Sequence, residues 1–116
     1  MSEKFIPVIT RYFSMKIKVD DIFRIEQESR KLVIRTEDHY YSYYQKPADI
    51  KHLLGNQFYW CMKHMVINLD KVDEISDGVV YFVNGDELPL SRECYAKVKQ
   101  TYNAFIKKIL NCDIKK

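Results

Sequence analysis

The residues from Phe5 to Leu90 form a succession of short apolar or aromatic runs, and a turn closes each run. Runs of this length, bounded by Asp, Asn, Gly and Ser, are typical of β-strands joined in hairpins. The pattern changes at Ser91, after which apolar residues recur at helical spacing to about Leu110. The sequence therefore predicts a mainly β fold of small antiparallel sheets with short helices, ending in an amphipathic C-terminal helix at about 92–110.

Several turns locate the strands and helices more closely. Asp77-Gly78 and Asn84-Gly85-Asp86 predict hairpin turns, because these residue types adopt the left-handed conformation at low cost. Gly55-Asn56 predicts a left-handed end to a short helix. Pro89 confines the last strand to a sheet edge, since it cannot donate to a ladder. Ser91 is a natural N-cap for the long helix.

Length and composition indicate an ordinary globular domain. The chain has 116 residues, which suits a single domain over 1–116 with a core at about 5–102. Hydrophobic residues make up 47% of the chain, too many for a disordered protein. The net charge of +3 permits a polyanionic partner without requiring one, because binding depends on where the charges lie.

The sequence carries no motif for catalysis, for a cofactor or for a metal. Cys61, Cys94 and Cys112 lack zinc-binding spacing, and no histidine lies in a nucleophile elbow, a metal motif or a phosphate-cradling glycine loop. No apolar run approaches the roughly 20 residues that span a bilayer, and the first residues lack the apolar core of a signal peptide. We therefore expect a cytoplasmic protein that is not an enzyme, holds no cofactor or metal and does not insert into a membrane.

Cationic side chains at three strand ends favour DNA binding. Arg and Lys can reach phosphates and guanine acceptors, while Asn, Gln and His can contact base edges. Such groups occur at Ser29-Arg30-Lys31, at Lys63-His64 and at Ser91-Arg92. Each of these turns taken alone is an ordinary solvated turn. The three turns favour DNA binding only through their order along the chain.

That order resembles the LytTR family of bacterial DNA-binding domains, over about Phe5 to Tyr102. The aromatic strand Phe58–Cys61 leads into the polar break Met62-Lys63-His64 and then into the step Val66–Leu69, and Ser91-Arg92 follows later. No single piece is diagnostic, whereas the ordered combination is fairly specific. The other matching pieces are Asp20-Asp21-Ile22, Ile25-Glu26, Arg30-Lys31, Val72, Ile75 and Gly85.

The resemblance implies an elongated all-β domain whose loops, rather than a recognition helix, enter successive major grooves of DNA. By position, groove contacts would fall on Arg30, Lys63 and Arg92, with Met62 and His64 flanking the central one. Lys63 stands where the family often has arginine, so a point charge replaces a bidentate fork. The full set of candidate DNA-binding residues is Arg30, Lys31, Met62, Lys63, His64, Ser91 and Arg92.

The expected function is a sequence-specific transcription regulator that binds double-stranded DNA. Two copies would bind adjacent half-sites as a homodimer on DNA, because one small domain buries a modest interface. The 116 residues include no receiver domain, so control is expected from a regulatory partner protein, from abundance or from a ligand. The alternative is a protein-interaction module of the same fold with weak or lost DNA binding, which Met62, Trp60 and the apolar C-terminal helix favour.

Overall fold

The computed structural model describes residues 4–62 and 64–114, with side chains as far as Leu110. Contacts divide the chain into two compact units, Met1–Asn68 and Leu69–Lys116, and each is described by itself. The mainly β fold with small antiparallel sheets and a C-terminal helix is confirmed. The expectation that residues 1–116 form a single domain stays a prediction.

Beside two 3-10 helices, Val19–Asp21 and Lys51–Leu53, the described residues of the first unit form seven strands and one short α-helix. They are β1 (Phe5–Ile9), β2 (Ser14–Lys18), β3 (Arg24–Glu28), β4 (Lys31–Arg35), β5 (Tyr40–Tyr44), α1 (Pro47–Ile50), β6 (Phe58–Trp60) and β7 (Met65–Asn68). Strands β1 and β2 form an antiparallel hairpin. The other five form an antiparallel sheet in the order β5-β4-β3-β7-β6.

Alternation along these strands builds the core of the first unit. In the sheet, Ile25 lies opposite Ile34 on one side and Val66 on the other, and all three are buried. The β1–β2 hairpin contributes Ile6 and Val8 to the same cluster. Its remaining buried members are Ile17, Val19, Ile22, Leu32, Tyr43, Ile50 and Phe58.

The turn between β3 and β4 is shorter than the sequence suggested. The predicted turn Ser29-Arg30-Lys31 narrows to the two residues Ser29 and Arg30, with Ser29 in the left-handed region at φ 59°. Gly55 was expected to be left-handed, and this is wrong. The backbone is already extended at Leu54, so no left-handed residue is needed to end the helical segment there.

The second unit comprises β8 (Val72–Ser76), β9 (Val79–Phe82), β10 (Glu87–Pro89) and α2 (Arg92–Ile114). Its antiparallel sheet has the order β10-β9-β8, so Pro89 lies on an outer strand as predicted. Asp77 and Gly78 both have positive φ, 52° and 80°. This matches the mirror-image turn that suits the twist of a hairpin, and the predicted turn is confirmed.

Helix α2 begins as the sequence predicts and extends further. Ser91 is its N-cap: Ser91 Oγ accepts a 3.3 Å hydrogen bond from the main-chain nitrogen of Cys94. Val98 is fully buried, and the Tyr102 hydroxyl donates a 2.9 Å bond to the carbonyl oxygen of Val72, which ties the helix to β8. The helix passes Leu110 because no Gly or Pro follows to stop it. Among the described residues, no helix is long and apolar enough to cross a membrane.

Candidate nucleic-acid interface

Two of the three predicted turns lie at the same edge of the five-stranded sheet, where edge means the side formed by the strand ends and not an outer strand. The β3–β4 turn carries Arg30, and the β6–β7 turn carries Met62 and His64. Strands β3 and β7 are antiparallel neighbours, so the end of β3 and the start of β7 meet at one edge. The main-chain nitrogen of Gln27 donates a 2.8 Å bond to the carbonyl oxygen of His64, and this bond fixes the second turn beside the first.

The strand order also sets the separation of these two turns. In the order β5-β4-β3-β7-β6, the midpoint of β3 and β4 lies two strand intervals from the midpoint of β7 and β6. Neighbouring strands are about 4.8 Å apart, so the turns are roughly 10 Å apart. That span is close to the width of one DNA major groove, about 12 Å, and far below the roughly 34 Å between successive grooves.

The side chains at this edge are exposed. A contact is known for Lys31, and the backbone conformation of Met62 is unusual. Arg30 and His64 are exposed. The Lys31 ammonium lies 5.1 Å from the centre of the Tyr44 ring, within the range of a cation–π contact. Met62 is 54% exposed and left-handed, with φ 70°. Lys63 lies outside the described residues.

A polar depression beside the first turn adds residues that the sequence analysis did not single out for this site. It is lined by Gln27, Arg30, Tyr44, Gln45, Lys46 and Asp49. Arg30 and Lys46 are the cations among these lining residues. The Asp49 carboxylate accepts a 2.6 Å hydrogen bond from the Gln45 amide. Lys46 comes two residues after Tyr44 in the sequence, and Tyr44 lies opposite Lys31 in the β4–β5 register. This register is the signal that could have placed Lys46 near the first turn.

Two other arginines of the sheet take part in ion pairs within the fold. Arg35 Nε lies 2.9 Å from Glu26 Oε1, and Arg24 Nε lies 3.8 Å from the same oxygen. Arg24 and Arg35 are direct cross-strand partners, so the Glu26 carboxylate screens two like charges that would otherwise repel. These arginines stabilise the sheet and are not part of the candidate interface.

The third predicted turn, Ser91-Arg92, lies in the second unit, and both residues are exposed. The Ser91 hydroxyl already serves as the helix cap. Arg92 is the first residue of α2, where the helix dipole disfavours a cation. The stability of the helix therefore does not explain an arginine at this position.

The groups with shifted pKa values add no charge to the interface. Burial raises the pKa of the Tyr43 hydroxyl. Burial, and then the nearby Asp73 carboxylate, raise the pKa of Tyr102. Both hydroxyls therefore stay neutral at physiological pH. Within the described part of the chain, no group of three or more His, Cys, Asp or Glu residues is placed to hold a metal ion.

Exposed cations on the turns of a mainly β fold are compatible with a nucleic-acid partner. The family profile described as the LytTr DNA-binding domain matches residues 13–103, and the chain belongs to this family. It is a family of DNA-binding domains and not of enzymes. DNA is therefore the partner that family membership supports.

A solved structure supports the same fold. It is the LytTr DNA-binding domain of a Bacillus cereus protein described as a methyl-accepting/DNA response regulator, at a TM-score of 0.68. The alignment covers 86% of this chain and 97% of that one, at 13% sequence identity. An identity this low establishes the shared fold alone. No curated protein sequence matches the chain.

Proposed function

We propose that this protein is a cytoplasmic, sequence-specific bacterial transcription regulator whose turns contact the grooves of double-stranded DNA. The observation that carries the proposal is the meeting of the Arg30 turn and the Met62–His64 turn at one edge of the five-stranded sheet. Their separation of roughly 10 Å suits one major groove and the backbone beside it. Arg92, in the second unit, is a further DNA contact of this proposal.

Each residue type at this edge has a distinct task. Arg30 can donate two parallel hydrogen bonds to the O6 and N7 acceptors of guanine. Lys31 and Lys46 are suited to phosphates, since a lysine acts as a point charge. The same task falls to Lys63 from its position in the sequence. Affinity would come mainly from phosphates and sequence preference from Arg30 and Arg92.

The experiment that tests this is a selection of duplexes from random sequence by the purified protein. The selected duplex and a scrambled duplex of the same length are then compared by fluorescence anisotropy over a series of salt concentrations. We expect tighter binding to the selected duplex, with affinity falling as salt rises. Failure to enrich any sequence would contradict the proposal.

Two substitutions locate the contacts. Arg30→Ala and Arg92→Ala should each weaken binding to the selected duplex by about 1–3 kcal/mol and relax the preference at one position. Lys16→Ala and Lys97→Ala are matched controls, because both lysines are exposed and lie outside the candidate turns. Unchanged affinity in both arginine variants would contradict the assigned site.

The pairing of two copies on DNA is tested separately. A duplex with two selected half-sites should bind two protein molecules more tightly than two isolated half-sites do, since the second event is then partly intramolecular. Sedimentation of the complex gives the stoichiometry. Equal affinity for joined and isolated half-sites would show that each copy binds alone.

A second candidate function, a protein-interaction module, is favoured by the end of helix α2. Ile106, Ile109 and Leu110 are 39%, 62% and 61% exposed, and with Asn103 and Lys107 they line a shallow apolar depression. A helical stripe of this kind is suited to a partner helix. A chain that enriches no duplex, with its fold intact, would favour this function over DNA binding.

A further inference from the structure

The tip of the β1–β2 hairpin, residues 10–13, is a second cationic feature beside the Arg30 turn. Arg11 and Tyr12 are exposed at this tip, Tyr12 by 84%. The family match begins at Phe13, so both residues precede it. None of the DNA contacts considered above includes them.

The tip has a defined conformation. The main-chain nitrogen of Thr10 donates a 2.9 Å bond to the carbonyl oxygen of Phe13. Thr10 Oγ1 accepts 3.1 Å bonds from the main-chain nitrogens of Tyr12 and Phe13. The Arg11 guanidinium lies 5.5 Å from the centre of the Tyr12 ring. The cation is therefore presented on an ordered turn, which lowers the entropy lost when it binds a partner.

The surroundings of the tip are cationic and aromatic. A depression beside strand β5 is lined by Ile9, Thr10, Arg11, Tyr12, Phe13, Lys31, Ser42, Tyr43 and Tyr44. None of these lining residues is acidic. Arg11 and Lys31 are its two cations, and each lies over a tyrosine ring. The charge of the depression is complementary to a polyanion.

The position of the tip relative to the DNA-contact turns gives that polyanion an identity. Lys31 lines this depression, and Tyr44 lines both it and the depression that contains Arg30. The tip thus lies on the β5 side of the Arg30 turn, whereas His64 lies on the other side, beyond β3. A groove occupied by Arg30 is bordered by one phosphate backbone on each side, so Arg11 is placed on the border opposite His64.

We propose that the β1–β2 hairpin tip is an additional DNA-contacting element, in which Arg11 binds the phosphate backbone on the far side of the groove that Arg30 enters. The inference rests on the proposed DNA-binding function. It adds a contact that neutralises phosphate without reading sequence.

The salt dependence of binding tests the contact directly. A side chain that neutralises one phosphate contributes about 0.9 to the slope of log affinity against log salt. Arg11→Ala should lower the magnitude of that slope by about 0.9 and weaken binding roughly five- to tenfold near 0.1 M salt, equally for the selected and the scrambled duplex. Arg11→Lys should restore most of the slope, because the charge is retained.

Controls separate this proposal from the function on which it rests. Lys16→Ala removes an exposed cation from the middle of the same hairpin and should leave the slope unchanged. Wild-type protein that binds the selected duplex, together with an Arg11→Ala slope equal to that of the wild type, would overturn this inference alone. Absence of DNA binding by the wild type would overturn both.

A duplex carrying neutral phosphates locates the contact. Methylphosphonates are placed in turn at the backbone positions that flank the selected sequence. One substituted position should weaken wild-type binding while leaving the binding of Arg11→Ala unchanged. If every substitution weakens both proteins equally, Arg11 does not contact the flanking backbone. The exposed aromatic side chains of the tip, Tyr12 and Phe13, would then be available for a protein partner instead.

Discussion

The main-chain nitrogen of Gln27 donates a 2.8 Å hydrogen bond to the carbonyl oxygen of His64. This bond extends the pairing of β3 with β7 by one step beyond Glu26 and Met65. The β6–β7 turn is thus held by the backbone of a central strand, and its side chains are left exposed. A turn held in this way can vary its side chains for recognition without loss of position.

The first prediction is that His64→Ala separates binding from stability. The main-chain bond survives the substitution, and the exposed imidazole has no part in the core. The free energy of unfolding should change by less than about 0.5 kcal/mol, while affinity for a selected duplex should fall about fivefold, or about 1 kcal/mol. Urea unfolding and anisotropy measure the two quantities. A large loss of stability with unchanged DNA affinity would contradict the assignment.

The second prediction concerns the backbone of Met62. A residue with a Cβ atom at φ 70° carries a steric cost of about 1–2 kcal/mol, which Asn tolerates better. Met62→Asn should therefore raise the free energy of unfolding by about 1 kcal/mol. Val83→Asn is the control, because Val83 is similarly exposed and has no positive φ. Equal shifts in the two variants would show that the backbone of Met62 is not strained.

The third prediction separates the adjacent residues Ser91 and Arg92. Ser91→Ala removes the side chain that caps α2 and should lower stability by about 1 kcal/mol. Arg92→Ala removes a cation from the wrong end of the helix dipole, so stability should be unchanged or rise slightly. Thermal unfolding of the two variants, compared with their DNA affinities, gives the test. Binding lost in Ser91→Ala without any loss of stability would instead indicate a direct DNA contact by its hydroxyl.

The fourth prediction pairs two tyrosines whose hydroxyls have opposite surroundings. Among the described residues, the buried Tyr43 hydroxyl has no hydrogen-bond partner, whereas the Tyr102 hydroxyl donates to Val72. Tyr43→Phe should stabilise the fold by about 1 kcal/mol, and Tyr102→Phe should destabilise it by a similar amount. Each variant is the control for the other, since both lose one hydroxyl. Destabilisation of both would show that Tyr43 has a partner after all.

The fifth prediction is that the buried Tyr43 makes the stability of the fold depend on pH. Burial raises the pKa of Tyr43 above its ordinary value near 10 in the folded state. The unfolded chain therefore loses this proton first, and the stabilising contribution is present below pH 10 and is lost as the pH rises further. Unfolding in urea between pH 8 and pH 11 should show a steeper decline for the wild type than for Tyr43→Phe. Parallel curves would contradict the assignment to Tyr43.

Local chemistry made the hairpins and the long helix predictable. Asp77-Gly78 adopts the turn that its residue types favour, and Ser91 caps the helix as its hydroxyl permits. The left-handed residues were harder to predict, because Gly55 needs no positive φ and Met62 has one despite its side chain. Met62 is held there by the pairing of β6, β7 and β3, and a local reading of residue types does not include that pairing.

The candidate site was predictable only in part, for a related reason. The residues Arg30, Met62 and His64 were found in sequence order, but their meeting at one edge follows from the strand order β5-β4-β3-β7-β6. Arg11 was missed, and Lys46 was not among the candidate DNA-binding residues. Their neighbours in space belong to other strands, and nothing in their own sequence surroundings distinguishes them from solvated charges.

Pro89 affects how copies of this protein can associate through their sheet edges. It lies on the outer strand β10 and has no N–H to offer an incoming strand. If copies of the protein gather on neighbouring DNA sites, as proposed above, an open sheet edge would let a strand of one copy pair with a strand of the next. The proline interrupts such a ladder, which would keep the association between those copies reversible.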